Sequence, residues 1–245
     1  MGFYLNGIIA FFSSVESALN IIFGQVEMKN RFLFIILAII LVLLINPFIG
    51  HSGKIGHLFA LILITMIPLA SYYALVEGRT KAALILFIAG PFVILDAVNM
   101  FYNSRYLVIF AYSFGTILYF FIIIQLLKNL ISQRVITADL INCAISIYLL
   151  IGIMWAGVYT VLEGIWSGSF SGISPNADLL YFSFATLTTV GYGDVAPKSI
   201  LATRLAVFEA AMGSIYMAII VALIVGRYMS LQADQDTKSE TGSKE

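Results

Sequence analysis

Long apolar runs, cut only by short charged or polar breaks, constrain this chain more than any other feature. Roughly 20 apolar residues let one helix cross a bilayer, where each backbone N–H and C=O must be satisfied within the segment. The runs predict six transmembrane helices, at 32–50, 57–76, 82–102, 106–127, 137–162 and 201–228. The breaks run from His51 to Lys54, Glu77 to Lys81, Asn103 to Arg105 and Lys128 to Arg134. Pro68 and Pro91 fall inside spans, where neighbouring helices can satisfy the carbonyls a proline frees. With 61% apolar and 11% charged residues and a mean hydropathy of +1.00, the chain cannot be an ordinary soluble domain.

The ends read differently. Within 1–30, Asn6, Ser13, Asn20 and Glu27 recur every seven residues on an otherwise apolar helical pattern. That stripe predicts an amphipathic helix lying in the membrane interface. No basic residue precedes the apolar stretch, as a signal peptide would require. Residues 230–245 are polar and mixed in charge, which predicts a disordered tail. Between the ends lie a four-span unit, 31–135, and a pore-like unit, 136–229.

Several function classes fall away on composition. The formal net charge is zero, so nothing suggests nucleic acid as a partner. The single cysteine, Cys143, excludes an intrachain disulfide and sits in an apolar span as a buried, inert thiol. His51 and His57 lack neighbouring carboxylates or cysteines, so they do not suggest a metal site. No arrangement of nucleophile and base, and no phosphate-binding glycine loop, points to an enzyme.

Residues 188–194 read Thr-Thr-Val-Gly-Tyr-Gly-Asp and lie between two apolar stretches. Gly191 and Gly193 let the backbone leave ordinary conformations, so that consecutive carbonyls can turn toward one axis. This segment resembles the selectivity filter of tetrameric potassium channels, and residues 137–228 are similar to their outer helix, pore loop and inner helix. The resemblance implies an all-α membrane protein with six transmembrane helices, a re-entrant pore helix and a homotetrameric pore. It implies potassium sites at Thr189, Val190, Gly191 and Tyr192, continued by Gly193, with the Thr189 hydroxyl completing the innermost. Potassium ions in the filter are then the only ligand and there is no organic cofactor; the partners are the bilayer and three further copies of the chain.

The same resemblance places Gly193 and Asp194 outside and both termini in the cytoplasm of a multi-pass cell-membrane protein. Counted that way, Lys29, Arg31, Arg79, Lys81, Lys128, Arg134 and Arg227 lie inside, and Lys54, Arg105, Lys198 and Arg204 outside. The excess of inner charges agrees with the positive-inside tendency, a separate premise. Trp155, Tyr159 and Trp166 fit an interfacial aromatic belt at the outer end of span five.

Around the filter, Ser174 or Asn176 can cap a short helix that ends near Leu187, with Pro175 in its first turn. Thr188 and the Tyr192 ring brace the filter. Tyr181 and Phe182 stand where many relatives carry a tryptophan pair, and Ala185 where certain bacterial channels carry a glutamate. Asp194 must therefore find another partner, the Tyr181 hydroxyl or water. In span six Glu209 is the sole acid, a costly residue in a membrane. It is read as a structural acceptor behind the pore loop. Gly213 matches the family's glycine hinge and equally suits a close-packing site. Met217, Val221 and Val225 recur on one face below it, either lining a pore that closes by dewetting or simply packing.

Four spans before a pore unit resemble a voltage-sensor arrangement, yet no Lys or Arg lies between Arg105 and Lys128. Moving one charge through 100 mV is worth about 2.3 kcal/mol, so a span without charges cannot supply steep gating. Asp96 and Asn99 read as polar groups at a helix end near Arg105. The leading function is passive potassium conduction without conventional voltage gating. The alternatives are a subunit of an ion-uptake transporter and a non-conducting membrane sensor.

Overall fold

The computed structural model describes residues 31–49, 53–75, 79–102, 104–133, 137–174 and 178–242. The helices are α1 (Leu33–Ile49), α2 (Gly53–Ala74), α3 (Arg79–Tyr102), α4 (Arg105–Ser132), α5 (Ala138–Ile165), α6 (Leu179–Leu187) and α7 (Ile200–Gly242). Two short strands, β1 (Phe170–Ser171) and β2 (Ala196–Pro197), pair antiparallel, with Phe170 opposite Pro197 and Ser171 opposite Ala196. Three helices are long and apolar enough to cross a membrane: Arg105–Ser132, Ala138–Ile165 and Ile200–Met229. In α1, α2 and α3 the described apolar stretches are the shorter Leu33–Ile45, Leu58–Ala74 and Ala89–Tyr102. The interfacial helix read at 1–30 lies outside the described residues.

α5 is the hub. It packs against α4 and α1 on one side and against α6 and α7 on the other. Glycines let it approach α4 closely: a Cβ at Gly157 would sit 2.6 Å from the Thr116 hydroxyl, and one at Gly164 2.7 Å from Ile109. Small residues serve this purpose in membranes, where close backbone approach replaces hydrophobic drive. Arg105 closes the same contact at the C-terminal end of α5, donating to the carbonyls of Gly164 and Ile165, the latter at 2.6 Å. Asn99 turns inward as well, its side chain accepting the Ser104 N–H at 2.9 Å.

Pro68 shows how a proline is accommodated inside a helix. Proline has no N–H for the carbonyl four residues back. That carbonyl, on Ile64, accepts instead from the Tyr119 hydroxyl of α4 at 3.4 Å.

Three expectations are corrected. α6 is capped by Asp178, whose carboxylate accepts the Tyr181 N–H at 2.9 Å, while Ser174 stays exposed and Pro175 and Asn176 lie outside the described residues. A charge at this position also complements the positive end of the helix dipole. Trp155 and Tyr159, 5% and 0% exposed, pack inside the molecule and do not form an outer belt; only Trp166 is exposed, at 56%. The backbone past Ser230 is helical to Gly242, not disordered. No Gly or Pro interrupts residues 227–241, so each added residue extends a helix already nucleated in the membrane segment.

Candidate functional site

The site is built where α6 ends. Its last turn hands over at Thr188 to a strand of irregular backbone, 189–194, and the Thr188 hydroxyl donates to the Phe184 carbonyl at 2.6 Å. The Thr189 N–H donates to Thr186 and the Gly191 N–H to Ala185, both at 3.0 Å. These bonds turn two N–H groups of the strand back toward the helix.

Along the same strand the sign of φ alternates. Thr189, Gly191 and Gly193 have φ of +59°, +55° and +81°, while Val190 and Tyr192 between them remain negative. In an ordinary strand successive carbonyls point to opposite sides; alternating hand permits them to share one. Glycine adopts the positive values freely, whereas Thr189 holds one at a cost of roughly 1–2 kcal/mol. Among the described residues, no hydrogen bond reaches the carbonyls of Thr189, Val190, Gly191 or Tyr192. Val190 is 52% and Tyr192 74% exposed on the single chain.

Side chains brace the strand from behind. The Tyr192 ring stacks on Tyr181 at 6.2 Å and 9°. The Tyr181 hydroxyl donates to both Asp194 carboxylate oxygens, at 2.9 and 3.0 Å, and the Val195 N–H donates to one of them at 3.0 Å. Desolvation first, then the bond to Asp194 and its charge, push the Tyr181 hydroxyl above its ordinary range, so it stays a donor. The β1–β2 pair ties the exit of the strand to the segment after α5. Gly172, at φ +78°, lies so close to the Asp194 carbonyl that a Cβ would overlap it.

Glu209 of α7 is fully buried behind α6. It meets the Tyr159 hydroxyl of α5 at 2.5 Å and the Ser183 hydroxyl of α6 at 2.6 Å. One turn on, Gly213 packs under the end of α6: a Cβ there would sit 2.5 Å from the Leu187 carbonyl oxygen. Close packing is the role this geometry assigns to Gly213, and α7 runs through it without a break. Met217, Val221 and Val225 are exposed on the next turns of α7. The structure thus gathers Thr188, Tyr181, Asp194, Glu209 and Gly213 around one strand, and leaves the three lower residues of α7 apart.

Residue-by-residue reading missed Tyr148 and Ser183, and gave Tyr159 to the aromatic belt. Tyr148 donates to the Leu187 carbonyl at 3.2 Å and stacks on Tyr216 at 5.9 Å, and Tyr216 in turn donates to Ala144 at 2.8 Å. A signal for two of them was present: Tyr148, Gly152, Trp155 and Tyr159 fall at helical spacing on one face of α5.

A family model described as an ion channel matches residues 147–230, about a third of the chain. The match takes in most of α5 and all of α6, the strand 189–194 and the apolar part of α7, and it supports ion conduction as the activity. No curated protein and no solved structure matches the chain.

Proposed function

We propose that the protein conducts potassium selectively and passively, and that four copies assemble so that their 189–193 strands surround one axis. The observation that carries this is the alternating φ at Thr189, Gly191 and Gly193, with N–H groups bonded to α6 and carbonyls left without donors. Within a membrane, carbonyls without partners are costly. A ring of them facing a common axis replaces the hydration shell of a dehydrated cation. One strand per chain supplies one wall, so a closed ring takes several chains, and four is the number in the channels this segment resembles.

In this reading Thr189, Val190, Gly191 and Tyr192 supply the ion sites, and Gly193 opens them to the outer mouth. Repulsion between ions in neighbouring sites keeps transit fast. The stacked Tyr181–Tyr192 pair and the Tyr181–Asp194 bonds hold the width of the ring. Met217, Val221 and Val225 line the inner vestibule, and Gly213 lets α7 pass close beneath α6. The six long helices all span the cell membrane and both termini lie in the cytoplasm, consistent with the distribution of Lys and Arg.

Reversal potentials of purified protein in planar bilayers test this. Strong preference for potassium over sodium is expected, together with block by barium, which has a similar size and twice the charge. Equal permeability to the two monovalent ions would sink the reading. Mass measurement of the detergent-solubilised protein should give four chains.

A further inference from the structure

Three oxygen contacts behind α6 contain more hydrogen bonds than their hydroxyl groups can supply. The Ser183 hydroxyl lies 2.8 Å from the Gly152 carbonyl and 2.6 Å from Oε1 of Glu209. The Tyr159 hydroxyl lies 2.5 Å from Oε2 of the same Glu209. A hydroxyl carries one proton, and a backbone carbonyl only accepts. If Glu209 is ionised, Ser183 must choose between the carbonyl and the carboxylate, and one oxygen pair is left in contact with no proton between. A buried polar group left so is destabilising.

One assignment satisfies all three contacts. Ser183 donates to Gly152, Tyr159 donates to Oε2, and a proton on Oε1 of Glu209 donates to Ser183. Placing that proton on Oε2 fails, because the Ser183–Glu209 contact then again needs the Ser183 proton. Tyr159, Ser183 and Glu209 are buried and in direct contact, which leaves the carboxyl as the group to carry the third proton. Tyr159 and Tyr148 face the acid from α5 and Ser183 from α6. None of the described Lys, Arg or His side chains pairs with it, so no cation is available to hold an ionised form.

We infer that Glu209 is a neutral, proton-carrying acid in the working protein, and that its proton positions α6 by completing a hydrogen-bond chain from α7 through Ser183 to the backbone of α5. Glu209 is a positioning residue: it acts on the strand 189–194 through α6. The inference deepens the conduction reading but does not need it, since the proton can be read directly.

The experiment is infrared difference spectroscopy on the full-length protein in lipid, with carbon-13-labelled glutamate, comparing the parent with Glu209→Gln and Ser183→Ala. The parent should show the carbonyl band of a protonated carboxyl at neutral pH, and Glu209→Gln should lack it. In Ser183→Ala the band should persist and shift, because the carboxyl proton has lost its acceptor. Glutamine presents an N–H where the acid has its O–H, so Glu209→Gln should keep the contact to Ser183 that Glu209→Leu loses, and its thermal unfolding midpoint should lie nearer the parent's than that of Glu209→Leu. Absence of the band, a band that does not move in Ser183→Ala, or a Glu209→Gln midpoint no higher than that of Glu209→Leu would each overturn the inference. A protein that shows the band but carries no potassium would sink the conduction reading alone.

Discussion

The Tyr148 hydroxyl donates to the Leu187 carbonyl, so the outer helix α5 holds the last helical carbonyl of α6 at 3.2 Å. The same carbonyl is the atom that Gly213 of α7 leaves room for. Two long helices therefore converge on one oxygen, immediately before the strand 189–194.

Tyr148→Phe removes that donor and keeps the ring that stacks on Tyr216. A loss of about 0.5–1.5 kcal/mol is expected, the usual net value of a hydrogen bond. Thermal unfolding of the solubilised protein should show a modestly lower midpoint. Channels recorded in bilayers should still prefer potassium but show shorter openings.

Gly213→Ala separates hinge from packing by its sign. Were Gly213 only a flexible point in a helix, alanine would stabilise the protein by up to about 1 kcal/mol. The 2.5 Å approach to Leu187 predicts the opposite, overpacking that costs about 1–3 kcal/mol. A raised unfolding midpoint would show that α7 does not need this close contact.

Gly191→Ala tests backbone conformation alone. No atom lies within 4 Å of a Cβ built at Gly191, so space is not the obstacle in the single chain. At φ +55° an alanine is strained by roughly 1–2 kcal/mol in each copy. Selective flux should be abolished while the four-chain assembly remains detectable by mass. Parental selectivity in this variant would mean that the strand does not conduct in the conformation described.

Voltage dependence should be weak. α4 carries no Lys or Arg between Arg105 and Lys128, and Arg105 is engaged at the C-terminal end of α5. Conductance measured across ±100 mV in symmetric potassium (each full gating charge contributes about 2.3 kcal/mol over 100 mV) should vary little. Any residual effect should change with potassium concentration, since it would arise from ions moving in the filter. A steep sigmoid indifferent to ion concentration would locate a sensor elsewhere in the chain.

The long elements were legible because hydropathy and length act on whole segments. Each described helix overlaps its expected span, and α6 ends at Leu187 as the glycine-rich stretch after it requires. Contacts between segments were less legible. The Tyr181–Asp194 bond was open to reasoning, because removing one partner type from the motif left few donors within reach. The Tyr159–Glu209–Ser183 cluster draws on three elements far apart in sequence, and nothing local marks their convergence. Trp155 and Tyr159 were misplaced because a large amphipathic ring near a span's end suits a lipid interface and a buried packing site alike. Asp178 was passed over as a cap because Ser174 and Asn176 precede it with the same chemistry.

Arg105 gives the four-helix unit a mechanical character. Its guanidinium grips the last carbonyls of α5, and below it Ile109 and Thr116 are seated against Gly164 and Gly157. Sliding α4 lengthwise would pull the guanidinium off its acceptors and drive those side chains over backbone ridges. α4 and α5 are thus latched at one end and keyed along their length. Contacts of this kind oppose sliding of α4 along α5 and leave the two helices to shift together.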